Sequence, residues 1–257
     1  MCFEPSARPP LPPIAGGAGT AGSEELVLEA SDGNRFNAFS ARAVRPGAPA
    51  VMILPDVRGL HPFYQELAVR FAEAGVHATA MDYFGRSAGL TARGGGFEYV
   101  PHVRRLTPEG LRADTGAVVA HLRSLAGGRA ERVYSVGFCM GGRISFNQAA
   151  QDHGLVGVIG LYGRPQGSGP DDQEAPVRLA PSYRCPVLGL FGGADQAIPA
   201  EAIERFRREL DQAGVDNEMV VYEGAPHSFF DRAFEQHREA CDDAWRRMLR
   251  FVGASAA

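Results

Sequence analysis

The sequence predicts an α/β fold with a mostly parallel central sheet, helices on both faces and an antiparallel hairpin at the N-terminal end. Continuous apolar runs such as 50–54 and 186–191 are typical of strands buried on both faces of a parallel sheet. Amphipathic stretches of about ten to fifteen residues separate such runs, which is the alternation of βαβ units. We expect a single domain over residues 24–257, preceded by an irregular arm over residues 1–23 that is rich in Pro, Gly and Ala.

The composition is that of an ordinary globular protein. The chain has 257 residues, of which 45% are hydrophobic and 22% charged, with a formal net charge of -4. This charge gives no general attraction to nucleic acid or to an anionic membrane surface. No apolar run reaches the roughly 18 residues of a membrane span, and the N-terminus lacks a signal-peptide pattern. We therefore expect a cytoplasmic protein that binds neither nucleic acid nor membrane.

The four cysteines, at positions 2, 139, 185 and 241, follow neither a disulfide framework nor the paired spacing of a zinc site. No metal site is predicted. Cys2, Cys185 and Cys241 are interpreted as incidental or buried thiols, whereas the sequence around Cys139 is distinctive.

The first half of the domain begins with two alternating strands and continues into the parallel sheet. Residues 25–30 and 35–42 flank the turn pair Asp32-Gly33, which predicts the hairpin. The apolar run 50–54 is a central strand that ends in a loop. The elements that follow are a helix over 63–74, a strand over 76–83 and a helix from 107 to about 125, where Thr107 is the N-cap and Pro108 the first helical residue.

The segment 84–106 is long, rich in glycine and carries several arginines. Loops of this length in a compact domain are usually functional covers or flexible insertions. We therefore consider this segment a candidate lid over a site.

The second half of the chain repeats the alternation of strands and helices. Each buried apolar run ends in glycine or a polar turn before the next helix begins. The carboxyl ends of parallel strands meet at one edge of a sheet, which is where sites form in such folds. The predicted strands are 133–138, 156–163, 186–191 and 219–222, and the predicted helices are 143–150, 199–210 and 235–251.

The run Gly137-Phe138-Cys139-Met140-Gly141 joins a predicted strand to a predicted helix. It has the Gly-x-nucleophile-x-Gly pattern of a nucleophile elbow, with cysteine where serine is more usual. An elbow strains the backbone at the nucleophile, and side chains two residues before and after it would collide. By itself this pattern is weak in a chain with 32 glycines, so its value depends on an acid and a base elsewhere.

Asp195 and His227 each follow a later predicted strand, in the chain order nucleophile, acid, histidine. An imidazole near the Cys139 thiol can take its proton to give the nucleophilic thiolate. Asp195 would hold the imidazole in the tautomer that leaves its other nitrogen free to accept. The non-catalytic alternatives are that His227 is a surface histidine and that Asp195 is a turn or helix-capping aspartate. The placement of both residues at strand ends favours the catalytic interpretation.

Two backbone N–H groups are candidates for an oxyanion hole. Met140, directly after the nucleophile, should supply one, and the loop after the central strand should supply the other through Val57. Backbone donors leave no side-chain pattern, so this prediction depends wholly on the fold.

Four motifs together give a more specific resemblance. Gly137-Phe138-Cys139-Met140-Gly141-Gly142, Leu161-Tyr162-Gly163, Gly193-Ala194-Asp195 and Gly224-Ala225-Pro226-His227-Ser228-Phe229 resemble the dienelactone hydrolase family, the cysteine branch of the α/β-hydrolases. The resemblance spans roughly residues 24 to 252. It implies an α/β-hydrolase fold and cofactor-free acyl transfer from a small ester or lactone to Cys139, followed by hydrolysis. The namesake enzyme opens dienelactone to maleylacetate in chloroaromatic degradation.

This sequence departs from the family pattern at positions that implicate the substrate. The resemblance places Asp56 where the type enzyme has a glutamate that interacts with the resting thiol, and Arg58 where it has an aromatic residue. Arg58 is either an anion-binding group or a solvated loop charge. The type enzyme's carboxylate-binding arginine after the histidine corresponds to Asp231 here, with Arg232 one residue further. Further candidates for substrate binding or activation are Tyr162, Arg104 and Arg105.

The leading interpretation is a cytoplasmic hydrolase of carboxylic esters or lactones, with Cys139 as nucleophile, His227 as base and then acid, and Asp195 as its orienter. We expect no cofactor and a monomer or homodimer that binds a small-molecule substrate. The alternatives are a thioesterase or acyltransferase with the same triad, or a non-catalytic redox sensor in which Cys139 is oxidised reversibly. The presence of both His227 and Asp195 argues against the sensor.

Overall fold

A computed structural model describes residues 7–13, 19–94, 96–167, 172, 174–231 and 233–254. Within these residues eight strands form one sheet in the order β1-β2-β4-β3-β5-β6-β7-β8. The strands are β1 (Thr20–Glu29), β2 (Arg35–Ala43), β3 (Ala50–Leu54), β4 (His77–Met81), β5 (Val133–Phe138), β6 (Gly157–Leu161), β7 (Val187–Gly192) and β8 (Asn217–Tyr222). The helices are α1 (Pro62–Glu73), α2 (Gly85–Ala88), α3 (Val100–Val103), α4 (Pro108–Arg123), α5 (Met140–Gln148), α6 (Pro176–Leu179), α7 (Ala200–Gln212) and α8 (Arg238–Phe251).

The sheet is mostly parallel, as the apolar runs predict. β1 pairs with β2 and β2 with β4 in antiparallel fashion, and the pairs from β4 through β3, β5, β6 and β7 to β8 are parallel. The carboxyl ends of β3 and β5 to β8 therefore meet at one edge. The predicted fold class and the N-terminal hairpin are both confirmed.

Buried side chains lie on both faces of the sheet. Along β3, Val51 and Ile53 belong to one core cluster, and Met52 and Leu54 to the other, because successive side chains of a strand point to opposite faces. Helices α1 and α8 pack in the first cluster and α4 in the second. Covered on both faces, the central strands hold the loops at their carboxyl ends in fixed positions.

The N-terminal boundary differs from the prediction. β1 begins at Thr20, inside the range assigned to the irregular arm. Residues 7–13 lie against the domain, with Pro9 and Pro10 buried and the indole N–H of Trp245 donating to the carbonyl of Pro10 over 3.1 Å. A buried indole N–H requires an acceptor, and the sequence pattern did not indicate that the arm supplies it.

Two helix starts also differ from the prediction. α5 begins at Met140, immediately after the elbow, because the backbone turns sharply at Cys139 and enters the helix without a linker. α8 begins only at Arg238. No helix in the described ranges is long and apolar enough to cross a membrane.

Candidate active site

Cys139 occupies a strained turn between β5 and α5. Its backbone has φ 56° and ψ −115°, a conformation that non-glycine residues seldom adopt outside functional sites. A Cβ on Gly137 would lie 1.9 Å from the carbonyl oxygen of Gly141, and a Cβ on Gly141 would lie 2.0 Å from the carbonyl oxygen of Leu54. Both glycines are thus required by backbone contacts, as the elbow pattern predicts, and the turn presents the thiol at the sheet edge.

Asp195 and His227 lie on the loops after β7 and β8, two and three strands from the elbow strand. His227 Nδ1 is 2.6 Å from Asp195 Oδ2. The side chain of Asp195 is 2% exposed, whereas that of His227 is 28% exposed. The other imidazole nitrogen, Nε2, is left for the Cys139 sulfur, with which His227 also interacts. The described geometry therefore brings all three predicted residues together.

The electrostatics of this pair suit a base. Burial by itself lowers the pKa of His227, but hydrogen bonds with Asp195 and Cys139 outweigh burial and raise the pKa to about 9. Burial raises the pKa of Asp195, yet the hydrogen bond from His227 and its charge bring that pKa below its ordinary value. Asp195 is therefore a carboxylate at neutral pH, and His227 binds a proton more strongly than a free imidazole does.

The raised pKa of His227 predicts how the free energy of unfolding depends on pH. Because the folded-state pKa of about 9 exceeds the unfolded value of 6.5, the stabilisation is complete below pH 6.5 and is lost as pH rises through 9. We expect the difference in free energy of unfolding between wild type and His227→Gln to shrink by up to about 3 kcal/mol between pH 6.5 and 9.5. Urea denaturation at several pH values measures it. A difference that stays flat or grows with pH would contradict this assignment of charges.

Val57 and Met140, the two residues predicted to form an oxyanion hole, lie on neighbouring elements of the sheet edge. Val57 lies on the loop after β3, and β3 is the direct neighbour of the elbow strand, with Leu54 opposite Gly137. The N–H groups of Val57 and Met140 donate to no acceptor among the described residues, and Met140 is the first residue of α5. Free N–H groups at a helix N-terminus favour negative charge, which applies to Met140, whereas Val57 would contribute through its N–H alone.

Arg58 lies on the same loop, with its guanidinium between Asp56 and His61. The Arg58 terminal nitrogen Nη2 is 3.2 Å from Asp56 Oδ2 and 3.1 Å from His61 Nε2. Burial, together with the charge of Arg58, lowers the pKa of His61 to about 4, so the imidazole is neutral and accepts from Arg58. No hydrogen bond among the described residues joins the Asp56 carboxylate to Cys139. Asp56 is paired with Arg58 instead.

A cavity of about 350 Å³ opens beside Arg58, a size that suits a small ligand. Its lining includes His61, Arg93, Phe97 and Tyr99. Sequence reasoning did not single out these four residues. Three of them belong to the segment 84–106, whose length and arginine content indicated a cover, but nothing in its pattern distinguished Arg93 from its other arginines.

Tyr162, proposed as a substrate-binding or activating residue, is fully buried. Its hydroxyl donates to Asp231 Oδ2 over 2.8 Å, and its ring centre is 5.0 Å from that of His227. Tyr162 therefore packs against His227 from within the core. Its hydrogen-bond partner Asp231 lies on the same loop as His227.

The remaining arginine candidates have different placements. Arg104 and Arg105 are exposed residues directly after α3, and neither contributes to the described lining of the cavity beside Arg58. Arg232 lies outside the described residues. Among the sequence-predicted arginines, Arg58 alone is on the lining of this cavity as described.

The comparisons with known proteins agree with this geometry. A family model described as "Dienelactone hydrolase family" matches residues 36–255. A protein of Salmonella typhimurium named "Putative carboxymethylenebutenolidase" is 31% identical over 256 residues, which cover 96% of this chain and 93% of that protein. A Yersinia pestis protein of the same name is 32% identical over 223 residues, covering 85% of this chain and 84% of the relative.

A solved structure gives the same result at the level of the fold. The crystal structure of a "Putative Dienelactone Hydrolase" from Klebsiella pneumoniae subsp. pneumoniae MGH 78578 superposes with a TM-score of 0.79 at 28% identity, covering 91% of this chain and 98% of the other. The α/β-hydrolase fold is therefore confirmed. Because the family model spans most of the domain and two relatives exceed 30% identity over more than four fifths of the chain, this protein belongs to the dienelactone hydrolase family.

Proposed function

We propose that the protein hydrolyses a small carboxylic ester or lactone with Cys139 as the nucleophile. The observation that carries the proposal is the Asp195–His227 hydrogen bond of 2.6 Å beside a cysteine on a strained elbow. An orienting acid, a base of raised pKa and an activated thiol are the three parts of nucleophilic acyl transfer. Family membership supports the same reaction class.

Acylation begins with the proton of the Cys139 thiol held by His227 Nε2, because the raised pKa of His227 favours the imidazolium, and the sulfur attacks the carbonyl carbon as the thiolate. The carbonyl π electrons move to oxygen, and the resulting oxyanion accepts hydrogen bonds from the N–H groups of Val57 and Met140. Collapse of this intermediate breaks the bond to the alkoxy oxygen, which receives the proton from His227. The products of this step are a thioester on Cys139 and an alcohol, which in a lactone stays attached to the acyl group.

Deacylation repeats the sequence with water. His227 takes a proton from water, the hydroxide oxygen attacks the thioester carbonyl, and the second oxyanion occupies the same hole. Breakage of the carbon–sulfur bond releases a carboxylic acid, and the proton held by His227 returns to the sulfur. Asp195 stays ionised throughout and stabilises the imidazolium in both steps.

The cavity beside Arg58 favours a substrate that carries an anionic group. Arg58 is 21% exposed at this cavity, and its guanidinium is the type of group that binds carboxylates. Asp56 and His61 fix its orientation. The relatives carry the name "Putative carboxymethylenebutenolidase", which is that of an enzyme acting on a butenolide lactone with a carboxyl-bearing substituent. We place the substrate carboxylate against Arg58.

Replacing Arg58 tests this placement. Because Asp56 would otherwise be left buried without its partner, the variant is Arg58→Met combined with Asp56→Asn. We expect the KM for anionic 4-nitrophenyl hydrogen succinate to rise about 10- to 100-fold, the value of a charge-assisted hydrogen bond. The KM for the neutral 4-nitrophenyl butyrate should change less than about threefold.

The matched control is Arg105→Met, which removes an exposed arginine after α3 and should leave both KM values unchanged. Equal effects of the Arg58 variant on the anionic and the neutral ester would show that Arg58 does not bind the substrate carboxylate.

A panel of aryl esters, simple lactones, dienelactones and acyl thioesters tests the function as a whole. We expect turnover of esters or lactones with release of the free acid. Preferential cleavage of thioesters would replace the proposal by a thioesterase, and transfer to an added alcohol in place of water would replace it by an acyltransferase. Sulfenic acid at Cys139 without any turnover would replace it by a redox sensor. The cytoplasmic location stays a prediction, which the free thiols of Cys139, Cys185 and Cys241 support.

A further inference from the structure

Arg93 is nearly inaccessible to solvent, with 3% of its side chain exposed, and pairs with Asp82, whose side chain is 1% exposed. Its Nε and Nη2 donate to the two carboxylate oxygens of Asp82 over 3.3 and 2.8 Å. Nη2 also donates to the carbonyl of Gly89 over 2.7 Å, and Nη1 donates to the carbonyl of Thr91. Four of the five N–H groups of the guanidinium therefore bind within the protein.

This bonding separates Arg93 from Arg58 in function. Both arginines are paired with a carboxylate, but the side chain of Arg58 is 21% exposed, whereas that of Arg93 is 3% exposed and uses four of its five N–H groups within the protein. Its guanidinium lies 4.7 Å from the ring centre of Phe97, which fixes the side chain from another side. Arg93 is thus a rigid part of the cavity surface and has no bidentate edge to offer to a substrate anion.

Arg93 also contributes to the lining of two cavities. The cavity beside Arg58 and a second cavity, each of about 350 Å³, share Arg93, His61, Pro62 and Gly94 in their linings. The second cavity extends from this shared lining toward strands β1 and β2, where Leu26 and Ala38 contribute to it. Arg93 has the longest of the shared side chains.

Asp82 fixes this arrangement relative to the catalytic loop. Besides Arg93, its carboxylate accepts from the N–H of Phe84 over 3.1 Å and from the N–H of Leu60 over 3.4 Å. Leu60 lies on the loop that carries Val57 and Arg58. A Cβ on Gly59 would come within 2.5 Å of Asp82 Oδ1, so this loop packs closely on the carboxylate. The position of Arg93 is thereby set by the same group that anchors the loop beside Cys139.

We infer that Arg93, held by Asp82, is a specificity-determining residue that separates the substrate cavity beside Arg58 from a second cavity and so limits the length of the acyl group. The inference rests on the proposed function, since it concerns which esters reach Cys139. In the wild type, substrate occupies the first cavity alone. Removing the Arg93 side chain joins the two cavities and admits longer acyl chains.

The test measures kcat/KM for 4-nitrophenyl acetate and 4-nitrophenyl hexanoate. Asp82→Asn combined with Arg93→Ala removes the partition without leaving a buried carboxylate unpaired. The ratio of kcat/KM for hexanoate to that for acetate should rise about tenfold or more, since each methylene newly placed against the apolar part of the second cavity, which includes Leu26, Ala38 and Leu90, improves binding severalfold. Asp82→Asn combined with Arg93→Met removes the same ion pair but refills the volume, so its ratio should stay within about threefold of wild type.

The matched control is Arg86→Ala combined with Asp114→Asn, which likewise leaves no buried carboxylate unpaired. Arg86 lies in the same segment and pairs with Asp32 and the buried Asp114, but it is on neither described cavity lining. Its ratio should equal that of the wild type. An unchanged ratio of hexanoate to acetate kcat/KM in the variant with Arg93→Ala would overturn the inference. An equal rise of this ratio in the variant with Arg93→Met would also overturn it, because the cause would then be the loss of the ion pair and not the loss of the side chain between the cavities.

Two further measurements keep the test decisive. If the variant with Arg93→Ala does not fold, Asp82→Asn with Arg93→Val keeps part of the side-chain volume and should give a smaller rise in the same direction. If the wild type cleaves no ester of the series, the proposed function fails separately. A crystal structure of the Asp82→Asn, Arg93→Ala variant then tests by itself whether Arg93 separates the cavities. A single joined cavity would support the inference, and two cavities that are still separate would overturn it.

Discussion

Cys139→Ala should lower kcat for 4-nitrophenyl acetate by about 10⁴- to 10⁶-fold, the effect of removing the nucleophile from a catalytic triad. The reason is that the Cys139 thiol is the nucleophile candidate that interacts with His227 among the described residues. Alanine fits the elbow, because the Cα geometry is kept and only the sulfur is lost. Steady-state kinetics with circular dichroism of the folded protein measure the effect.

Cys185→Ala is the matched control, because Cys185 is also a free cysteine, although it is buried and lies two residues before β7. It should keep activity within about twofold of wild type. Mass spectrometry of the wild type, quenched during turnover, should show the acyl group on the peptide that contains Cys139. Full activity of Cys139→Ala, or the acyl group on another peptide, would remove Cys139 from the mechanism.

His227→Gln should lower kcat by about 10⁴-fold. Glutamine keeps a polar side chain on the loop but cannot take the thiol proton. Alkylation of Cys139 by iodoacetamide at pH 7 should slow in the same variant, because the sulfur loses the base that accepts its proton. This second measurement does not require that the substrate be known.

His237→Gln makes the same substitution at the residue before α8, in a separate cleft. It should change neither kcat nor the alkylation rate by more than about twofold. Unchanged alkylation in His227→Gln would mean that the imidazole does not activate the thiol. Asp195 would then need another role than that of its orienter.

The elbow and the order of the two other residues could be predicted because the requirements are local. Gly137 and Gly141 must lack side chains for a turn that is complete within five residues, and the contacts of 1.9 and 2.0 Å show why. Asp195 and His227 were found because each follows a predicted strand, β7 being fully buried and β8 half-buried at the sheet edge. Periodicity identifies such strands well, and a parallel sheet brings their ends together.

The polar partners of the site could not be predicted in the same way. Tyr162 and Asp231 are 69 positions apart in the chain, and Arg93 and Asp82 meet through a segment without any periodic pattern. The pairing of Asp56 with Arg58 replaces the contact with the thiol that the family resemblance implied. Side-chain hydrogen bonds of this kind depend on loop conformation, which has no repeating sequence pattern.

The sequence by itself determined the fold class, the elbow and the three residues proposed for catalysis. These follow from the burial of strands on both faces and from a backbone turn that tolerates only glycine at two positions. Only the tertiary structure decided which charges face the cavity beside Arg58. Arg58 and Arg93 are each paired with a carboxylate, but Arg58 stays partly exposed whereas Arg93 is buried. The physical reason is that the role of an arginine is set by its burial and its partners, and both come from segments that meet only in the folded chain.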